Sequence, residues 1–214
     1  ETIALPDWTA RPAPAARRPS RRLSPSDIGA APIAFTGGGG AAARRGELVH
    51  RLLESLAPIG APDRPAMAAR VLEVLGETGP DAGTIAAEAL AVLDAPAFAP
   101  LFTATSRGEV PVDGEVEIDG RRFRVEGRID RLVIGENDVL IVDYKTGRAV
   151  PATAAAVPPA HVAQLALYRR LVAEVYPDKR IGCALLWTAG PRLMQIADDS
   201  LDATLAEIAR KSPA

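Results

Sequence analysis

The spacing of apolar residues changes near residue 109, and this change restricts the possible folds more than any other feature of the sequence. Before it, apolar residues recur at the spacing that places them on one face of a helix. Helices are therefore predicted at about 41–56, 65–76 and 82–94. In the first of these, the apolar stripe comprises Leu48, Leu52, Leu53 and Leu56.

From residue 109 onward the sequence instead shows short apolar runs separated by turn residues. The runs at 109–118, 121–134 and 139–144 predict three strands. The turn sequences Asp119-Gly120 and 135–138 between them predict an antiparallel meander. The remaining elements are predicted as a helix over 161–175, strands near 181–187 and 193–196, and a closing helix from about 201.

The first residues have a different composition. Prolines at 6, 12, 14 and 19 deny this segment regular backbone hydrogen bonding, so a flexible tail or linker is predicted over 1–22. An extended arm packed through Trp8 is the alternative. Ser24-Pro25-Ser26-Asp27 has the capping residues of a short helix. The glycines at 37–40 lack the Gly-Lys-Ser/Thr ending of a phosphate loop, so no nucleotide site is predicted.

Composition excludes several classes of protein. A chain of 214 residues, of which 48% are hydrophobic, can bury one large core without disulfides or a structural metal. The single cysteine, Cys183, excludes an intramolecular disulfide and a four-cysteine zinc or iron–sulfur site, and it favours a reducing cytoplasm. No apolar run approaches the roughly 18 residues needed to span a bilayer. Because the formal net charge is −2, binding of nucleic acid would require a local basic patch.

A pair of charged residues ends the strand predicted at 139–144. Because side chains two apart in a strand point to the same side, Asp143 and Lys145 project together while Tyr144 faces away. An Asp-x-Lys sequence at a strand end is usually a solvated ion pair. Its meaning here depends on the residues brought close to it.

Asp130 lies on the preceding strand and is predicted to face Asp143. A turn centred near residue 137 would bring the two carboxylates opposite each other. Converging carboxylates repel unless they are protonated or bridged, and oxygen ligands suit hard cations such as Mg²⁺ or Mn²⁺. A lysine beside such an ion can orient or help deprotonate a water molecule. Asp130, Asp143 and Lys145 therefore predict a phosphodiesterase site.

Several other residues are compatible with this site but are not specific when taken alone. Gln164 and Tyr168 are four apart and share one face of the predicted helix, where a core helix with an incidental glutamine is the alternative. His50, in the first helix, fits either a ligand or an ordinary, partly buried histidine. Glu109, at the start of the first strand, is a further candidate contributor to a metal site.

Taken together, these segments resemble a known family. The motifs Gly127-Arg128-Ile129-Asp130, Val142-Asp143-Tyr144-Lys145-Thr146-Gly147 and Gln164-Leu165-Ala166-Leu167-Tyr168 are similar, in order and spacing, to the RecB family of the PD-(D/E)xK nuclease superfamily. The segment 45–54, which contains His50, is similar to an upstream helix that carries a metal-binding histidine in that family. The resemblance covers about residues 24–200.

The resemblance implies a restriction-endonuclease-like α/β fold with a mixed central sheet flanked by helices and an N-terminal helical region. The implied metal ligands, for Mg²⁺ or Mn²⁺, are His50, Asp130, Asp143 and the backbone carbonyl of Tyr144. The implied catalytic residues are Asp130, Asp143 and Lys145, with Gln164 and Tyr168 supporting the site and contacting substrate. The chain would then divide into a tail (1–22), a helical region contributing His50 (23–108) and a nuclease core (109–214).

Within this family the sequence looks most like the carboxy-terminal nuclease domain of AddA-type helicase–nucleases of bacterial double-strand break repair and recombination, which implies a bacterial cytoplasm. The segment at 22–27, Arg-Leu-Ser-Pro-Ser-Asp, supports this likeness. AddB and CRISPR-associated relatives usually carry an iron–sulfur cluster, for which this chain lacks the cysteines. The implied partners are DNA, a helicase region of the same parent chain and an AddB-like subunit, with no membrane. The start at Glu1 rather than Met is expected of a domain from a longer protein.

Arginines near the predicted site offer contacts to phosphate. They are Arg121, Arg122, Arg124, Arg128 and Arg131 on one strand, and Arg148 after the lysine. Phosphate contacts position a nucleic acid without reading its sequence, which suits an exonuclease acting on single-stranded DNA ends. A solvated arginine face is the alternative. Two other functions remain open, namely a catalytically silent DNA-binding or docking module and a stand-alone RecB-like exonuclease.

Overall fold

The structure passes from helices to strands close to the predicted position. The computed structural model describes residues 21–23 and 39–211. The α-helices of this part are α1 (Gly39–Leu56), α2 (Arg64–Val74), α3 (Ala82–Leu93), α4 (Pro159–Val175) and α5 (Asp198–Lys211). Its strands are β1 (Arg21–Leu23), β2 (Ser106–Ile118), β3 (Arg121–Ile134), β4 (Asp138–Lys145), β5 (Arg180–Trp187) and β6 (Arg192–Ile196). Short 3-10 helices occupy Ala61–Asp63, Pro96–Phe102 and Ala154–Ala156.

The elements predicted after residue 40 are all present, and their ends differ from the predicted ends by at most three residues. The helix predicted to begin at 24–27 lies outside the described residues. So does the predicted tail, except for Arg21 and Arg22, which belong to β1. Apolar periodicity was sufficient to locate these elements because most of them bury one continuous face.

The strands form one mixed sheet, as expected. The predicted meander is confirmed, because β2 pairs with β3 and β3 with β4, both antiparallel. Beyond the meander, β4 pairs parallel with β5, and β5 pairs antiparallel with β6. The hairpin between β2 and β3 turns through two residues with positive φ, Asp119 (49°) and Gly120 (72°), as a tight type I′ turn requires.

The strand β3 has different neighbours along its two edges. On one edge it pairs with β2 over nearly its whole length. On the other edge β4 pairs with residues 131–134 and β1 pairs with residues 123–125. Within the part of the chain that the structure describes, residues 126–130 have no strand partner on this second edge. We call this opening, bounded by β3 and the end of β4, the strand fork.

Helices cover both faces of the sheet. The first three helices pack on one face, where the predicted stripe of α1 is fully buried against Val142, Tyr144 and Leu186 of the sheet. On the opposite face, α4 and α5 pack against residues that include Ile141 and Leu185. The protein is therefore a three-layer α/β fold, and the strand fork lies between its two helical layers.

No single helix among residues 39–211 has the length and apolar content needed to cross a bilayer. The helix Ala82–Leu93 and the 3-10 helix Pro96–Phe102 meet that criterion only as a pair, and they are bent by 85° from each other.

The packing of α1 predicts the size of one mutational effect. Leu52 is fully buried, so Leu52→Ala is expected to lower the free energy of unfolding by about 2–5 kcal/mol. Val74, at the end of α2, is 79% exposed, and Val74→Ala is expected to change the free energy of unfolding by less than about 0.5 kcal/mol. Urea unfolding followed by circular dichroism measures both values. Equal unfolding midpoints for the two variants would show that α1 is not part of the core.

Candidate metal centre and active site

The end of β4 carries a buried acid beside a lysine. Asp143 is 3% exposed, and its Oδ2 lies 2.6 Å from Lys145 Nζ. Lys145 Nζ also donates a hydrogen bond to Gln164 Oε1 on α4, at 3.0 Å. The predicted alternation is present, since Tyr144 belongs to the core on the α1 face while Lys145 contacts α4 on the other. Asp143, Lys145 and Gln164 thus form one polar group.

Burial makes the negative charge of Asp143 unfavourable. Its close charged partner is the Lys145 ammonium, 2.6 Å from Oδ2. Burial of the carboxyl group raises its pKa to about 6; the charge of Lys145 opposes this rise and Asp130 adds to it. A bound cation would stabilise a buried carboxylate that lies beside a second acid.

Asp130 occupies the strand fork. The last paired residues of β3 and β4 are Arg131 and Val142, and the next step of this register places Asp130 opposite Asp143. The Tyr144 N–H donates a hydrogen bond to Asp130 Oδ2 at 2.6 Å. In a continued strand ladder its acceptor would be a backbone carbonyl. The N–H and C=O of a strand residue point to the same edge, so the Tyr144 carbonyl faces the fork as well.

His50 reaches the same place from α1. Its Nδ1 lies 3.3 Å from Asp130 Oδ1, and its ring meets the Tyr144 ring edge to face, with centroids 5.4 Å apart. Burial alone would lower the pKa of His50, but the hydrogen bond and charge of Asp130, together with the charges of Asp143 and Glu109, raise it. A metal needs the neutral imidazole, so a proton and a cation compete for this ring.

Glu109 also belongs to the cluster, although from the sequence it was only a minor candidate. It lies between the pairs Gly108–Arg131 and Val110–Ile129, so the register sets it opposite Asp130. Its φ is 51°, a left-handed conformation that is uncommon outside glycine and frequent at functional sites. Counting back from the Asp119-Gly120 turn pairs residue 109 with residue 130, so the predicted hairpin already contained this information.

The left-handed residue coincides with a change of face in β3. Ile129 and Leu132 pack in the same core although they are three residues apart, which strict alternation would forbid. Arg131 consequently lies on the α1 face at 5% exposure, with its guanidinium 4.9 Å from the Phe102 ring centroid and its Nε donating to the Tyr144 hydroxyl at 3.1 Å. The expectation that Arg131 contacts phosphate is therefore wrong.

A divalent cation fits the donors gathered here. Within the described residues, His50, Glu109 and Asp130 each offer one ligand atom, and these atoms lie within 4.8 Å of one another. Asp143 is not in this set, because its carboxylate is turned toward Lys145. One imidazole and two carboxylates are suitable ligands for Mn²⁺ or Mg²⁺. The structure thus brings together the acids, the lysine and the histidine picked out from the sequence.

Tyr168 supports the strand that carries Asp130. Its hydroxyl accepts the backbone N–H of Arg128 at 3.1 Å. A Cβ on Gly127 would lie 2.5 Å from that hydroxyl, so the approach requires glycine at 127. Gln164 holds Lys145 from the same helix. The two α4 residues therefore fix the two strands that bound the fork.

The remaining arginines differ in their surroundings. Arg128 is exposed, and its Nη1 lies 3.3 Å from Glu109 Oε2, beside the cluster. Arg148 is exposed after the end of β4. Farther along β3, Arg124 pairs with Asp113 and Arg121 donates to the Ala209 carbonyl. Arg128 and Arg148 are thus the arginines best placed near the fork.

Comparison with known proteins is informative at the level of the superfamily. The family model described as "PD-(D/E)XK nuclease superfamily" matches residues 33–211. No protein of curated function matches the sequence. Among solved structures, a candidate exonuclease from Eubacterium rectale is 13% identical, with a TM-score of 0.51, over 79% of this chain and 64% of that one. SSO0001 is 14% identical, with a TM-score of 0.38, over 92% of this chain and 77% of that one. This chain therefore spans less than two thirds of the E. rectale protein, and that likeness concerns the fold.

The donor cluster predicts how binding of a cation depends on side chains. His50→Ala and Glu109→Gln are each expected to weaken Mn²⁺ binding by about tenfold or more, because each removes a donor from a preformed group. Isothermal titration without nucleic acid measures the affinity. Glu115→Gln, an exposed position on the same strand β2, is the matched control and is expected to retain the parent affinity. The cluster is not a metal site if all three variants bind Mn²⁺ equally well.

Proposed function

This chain belongs to the PD-(D/E)XK nuclease superfamily, and on that premise we propose that it is a metal-dependent nuclease domain that hydrolyses phosphodiester bonds in DNA. The observation that carries the proposal is the meeting of Asp130, Asp143 and Lys145 at one strand fork, beside His50. A surface ion pair would need neither the burial of Asp143 nor a second acid opposite it.

The ligands proposed for Mg²⁺ or Mn²⁺ are His50, Asp130, Asp143, the Tyr144 carbonyl and Glu109. When bound, such a cation supplies Lewis acidity, since it acidifies a water molecule and neutralises charge on the phosphate. Two of these donors are held in place by Tyr144, because Asp130 accepts its N–H and the His50 ring packs on its ring.

Lys145 is the proposed partner of the attacking water. Its ammonium is oriented by Asp143 and by the Gln164 amide oxygen, which leaves part of its donor capacity free for a water molecule. From this position Nζ can orient the water and stabilise negative charge as the water attacks phosphorus. Gln164 and Tyr168 are proposed to keep β4 and β3 in place while this occurs.

Single-stranded DNA is the proposed substrate. Arg128 and Arg148 are exposed near the fork and would bind backbone phosphates without reading bases. Exonucleolytic cleavage of strands fed by a helicase, during double-strand break repair and recombination, is the finer proposal. It rests on the AddA-like sequence motifs, and its partners would be a helicase region of the parent chain and an AddB-like subunit.

Cleavage of a labelled single-stranded oligonucleotide with Mg²⁺ or Mn²⁺ tests the proposal. Lys145→Ala and Asp143→Asn are expected to lower the rate by about 100-fold or more, because each removes a group that acts on the water or its cation. Lys145→Ala should retain Mn²⁺ binding, since the amine is not a ligand. Lys211→Ala, which removes an exposed ion pair with Glu207, is the matched control and should cleave normally.

Two results would contradict the proposal. One is cleavage by Lys145→Ala and Asp143→Asn at the parent rate. The other is a parent domain that binds DNA equally well with and without Mn²⁺ and does not cleave it, which would identify a catalytically silent binding or docking module.

A further inference from the structure

A buried carboxylate links the helical region to the end of the catalytic strand. Glu88 lies on α3, and its side chain is only 6% exposed. Its Oε2 lies 2.5 Å from an Arg45 Nη atom on α1, and its Oε1 accepts a short hydrogen bond from the Thr188 hydroxyl. Two helices and the residue that follows β5 therefore meet at one carboxylate.

Removing a carboxylate from water is costly unless the protein replaces the lost hydration with charge and hydrogen bonds. Arg45 supplies the opposite charge, and Thr188 supplies a hydroxyl donor on the second oxygen. Both oxygens are thus occupied, so movement of any of the three side chains leaves a buried polar group unsatisfied. The arrangement therefore resists displacement of α3 relative to the sheet.

Thr188 transmits this restraint to Lys145. Its N–H donates to the Lys145 carbonyl at 2.9 Å, which extends the pairing of β4 and β5 by one residue beyond Lys145–Trp187. Thr188 is 1% exposed. Its hydroxyl donates to Glu88 and also lies 3.4 Å from the Lys145 carbonyl that accepts its backbone N–H. The carbonyl of Lys145 is thereby linked to the buried carboxylate through a single residue, Thr188.

The helix α1 restrains the next residue. A Cβ on Gly46 would lie 2.9 Å from Thr146 Oγ1, so α1 packs directly on the residue after Lys145. Arg45, the neighbour of Gly46, is the partner of Glu88. The backbone on the carboxyl side of Lys145 is thus enclosed by Thr188 and by α1.

We propose that Glu88 is a positioning residue for Lys145: through Thr188 and Arg45, it fixes where the backbone of Lys145 lies and hence where its ammonium points. This rests on the proposed function, in which that ammonium acts on water. Lys145 Nζ has partners at 2.6 Å and 3.0 Å, and a shift of the backbone would disturb both contacts. The helical region would then have a catalytic role beyond contributing His50.

Lysine NMR provides a direct test, because the sequence contains lysine only at 145, 179 and 211. Protein labelled with carbon-13 at lysine Cε should give one signal for each, assigned with Lys→Arg variants. Glu88→Gln breaks the charge pairing with Arg45, and Thr188→Val removes the hydroxyl while keeping the size and the backbone N–H. In both variants, at fixed pH and without metal, the Lys145 signal is expected to shift while the Lys179 and Lys211 signals stay in place.

Asp94→Asn is the matched control. Asp94 pairs with Arg64 at 2.6 Å and joins α2 to the end of α3 without contacting Thr188 or Lys145. It should lower thermal stability without moving the Lys145 signal. The proposal is overturned if Glu88→Gln and Thr188→Val leave that signal unmoved, or if Asp94→Asn moves it equally.

Kinetics give a second readout that a purely structural role would not change. Glu88→Gln and Thr188→Val are expected to lower kcat for DNA cleavage by about tenfold with little change in KM, because misplacing a reacting group slows chemistry without weakening phosphate contacts. An unchanged kcat in folded variants would refute the positioning role. The NMR experiment does not depend on cleavage. If the unsubstituted protein has no nuclease activity, the proposed function fails, but the NMR signals still test whether Glu88 positions Lys145.

Discussion

The hydrogen bond from the Tyr144 N–H to the Asp130 carboxylate is the contact on which the rest of the site depends. At this point a side chain replaces the backbone carbonyl that would continue the β3–β4 ladder. The two strands can therefore separate without leaving a buried N–H unsatisfied. The separation exposes the Tyr144 carbonyl to the fork and leaves the other Asp130 oxygen facing His50. Because a side-chain oxygen replaces a backbone carbonyl as the acceptor, the end of the strand pair can present the Asp130 carboxylate and the Tyr144 carbonyl as ligands.

The polar groups at the fork are energetically unfavourable for the isolated fold. Asp143 is a buried carboxylate near a second acid, and Glu109 adopts a backbone conformation that non-glycine residues seldom occupy. Apolar layers on both faces of the sheet offset these costs, with fully buried leucines from α1 on one side and from α4 on the other. The pKa of Asp143, which is raised to about 6 mainly by burial, reflects the cost of its buried charge. A bound cation would relieve it, so ligand binding and folding should be coupled.

The sequence was sufficient for the elements, the meander and the facing acids, because each follows from apolar period or from hairpin register. His50 was different: only a family resemblance pointed to it, since the packing of a distant helix leaves no local pattern. Arg131 was misplaced because the change of face in β3 cannot be inferred from alternation. Glu88 was not recognised for a similar reason, as its partners lie 43 and 100 positions away along the chain.

The type I′ turn at Asp119-Gly120 has a consequence for how this chain can vary in length. Because only two residues connect β2 and β3, the length of this turn sets the register of the two strands. It therefore determines which residue of β2 lies opposite Asp130. Adding or deleting one residue there would slide the strand and substitute Gly108 or Val110 for Glu109, unless a bulge absorbed the change. A solvent-exposed loop ten residues from the nearest ligand should therefore be as intolerant of insertions and deletions as the ligands are of substitution.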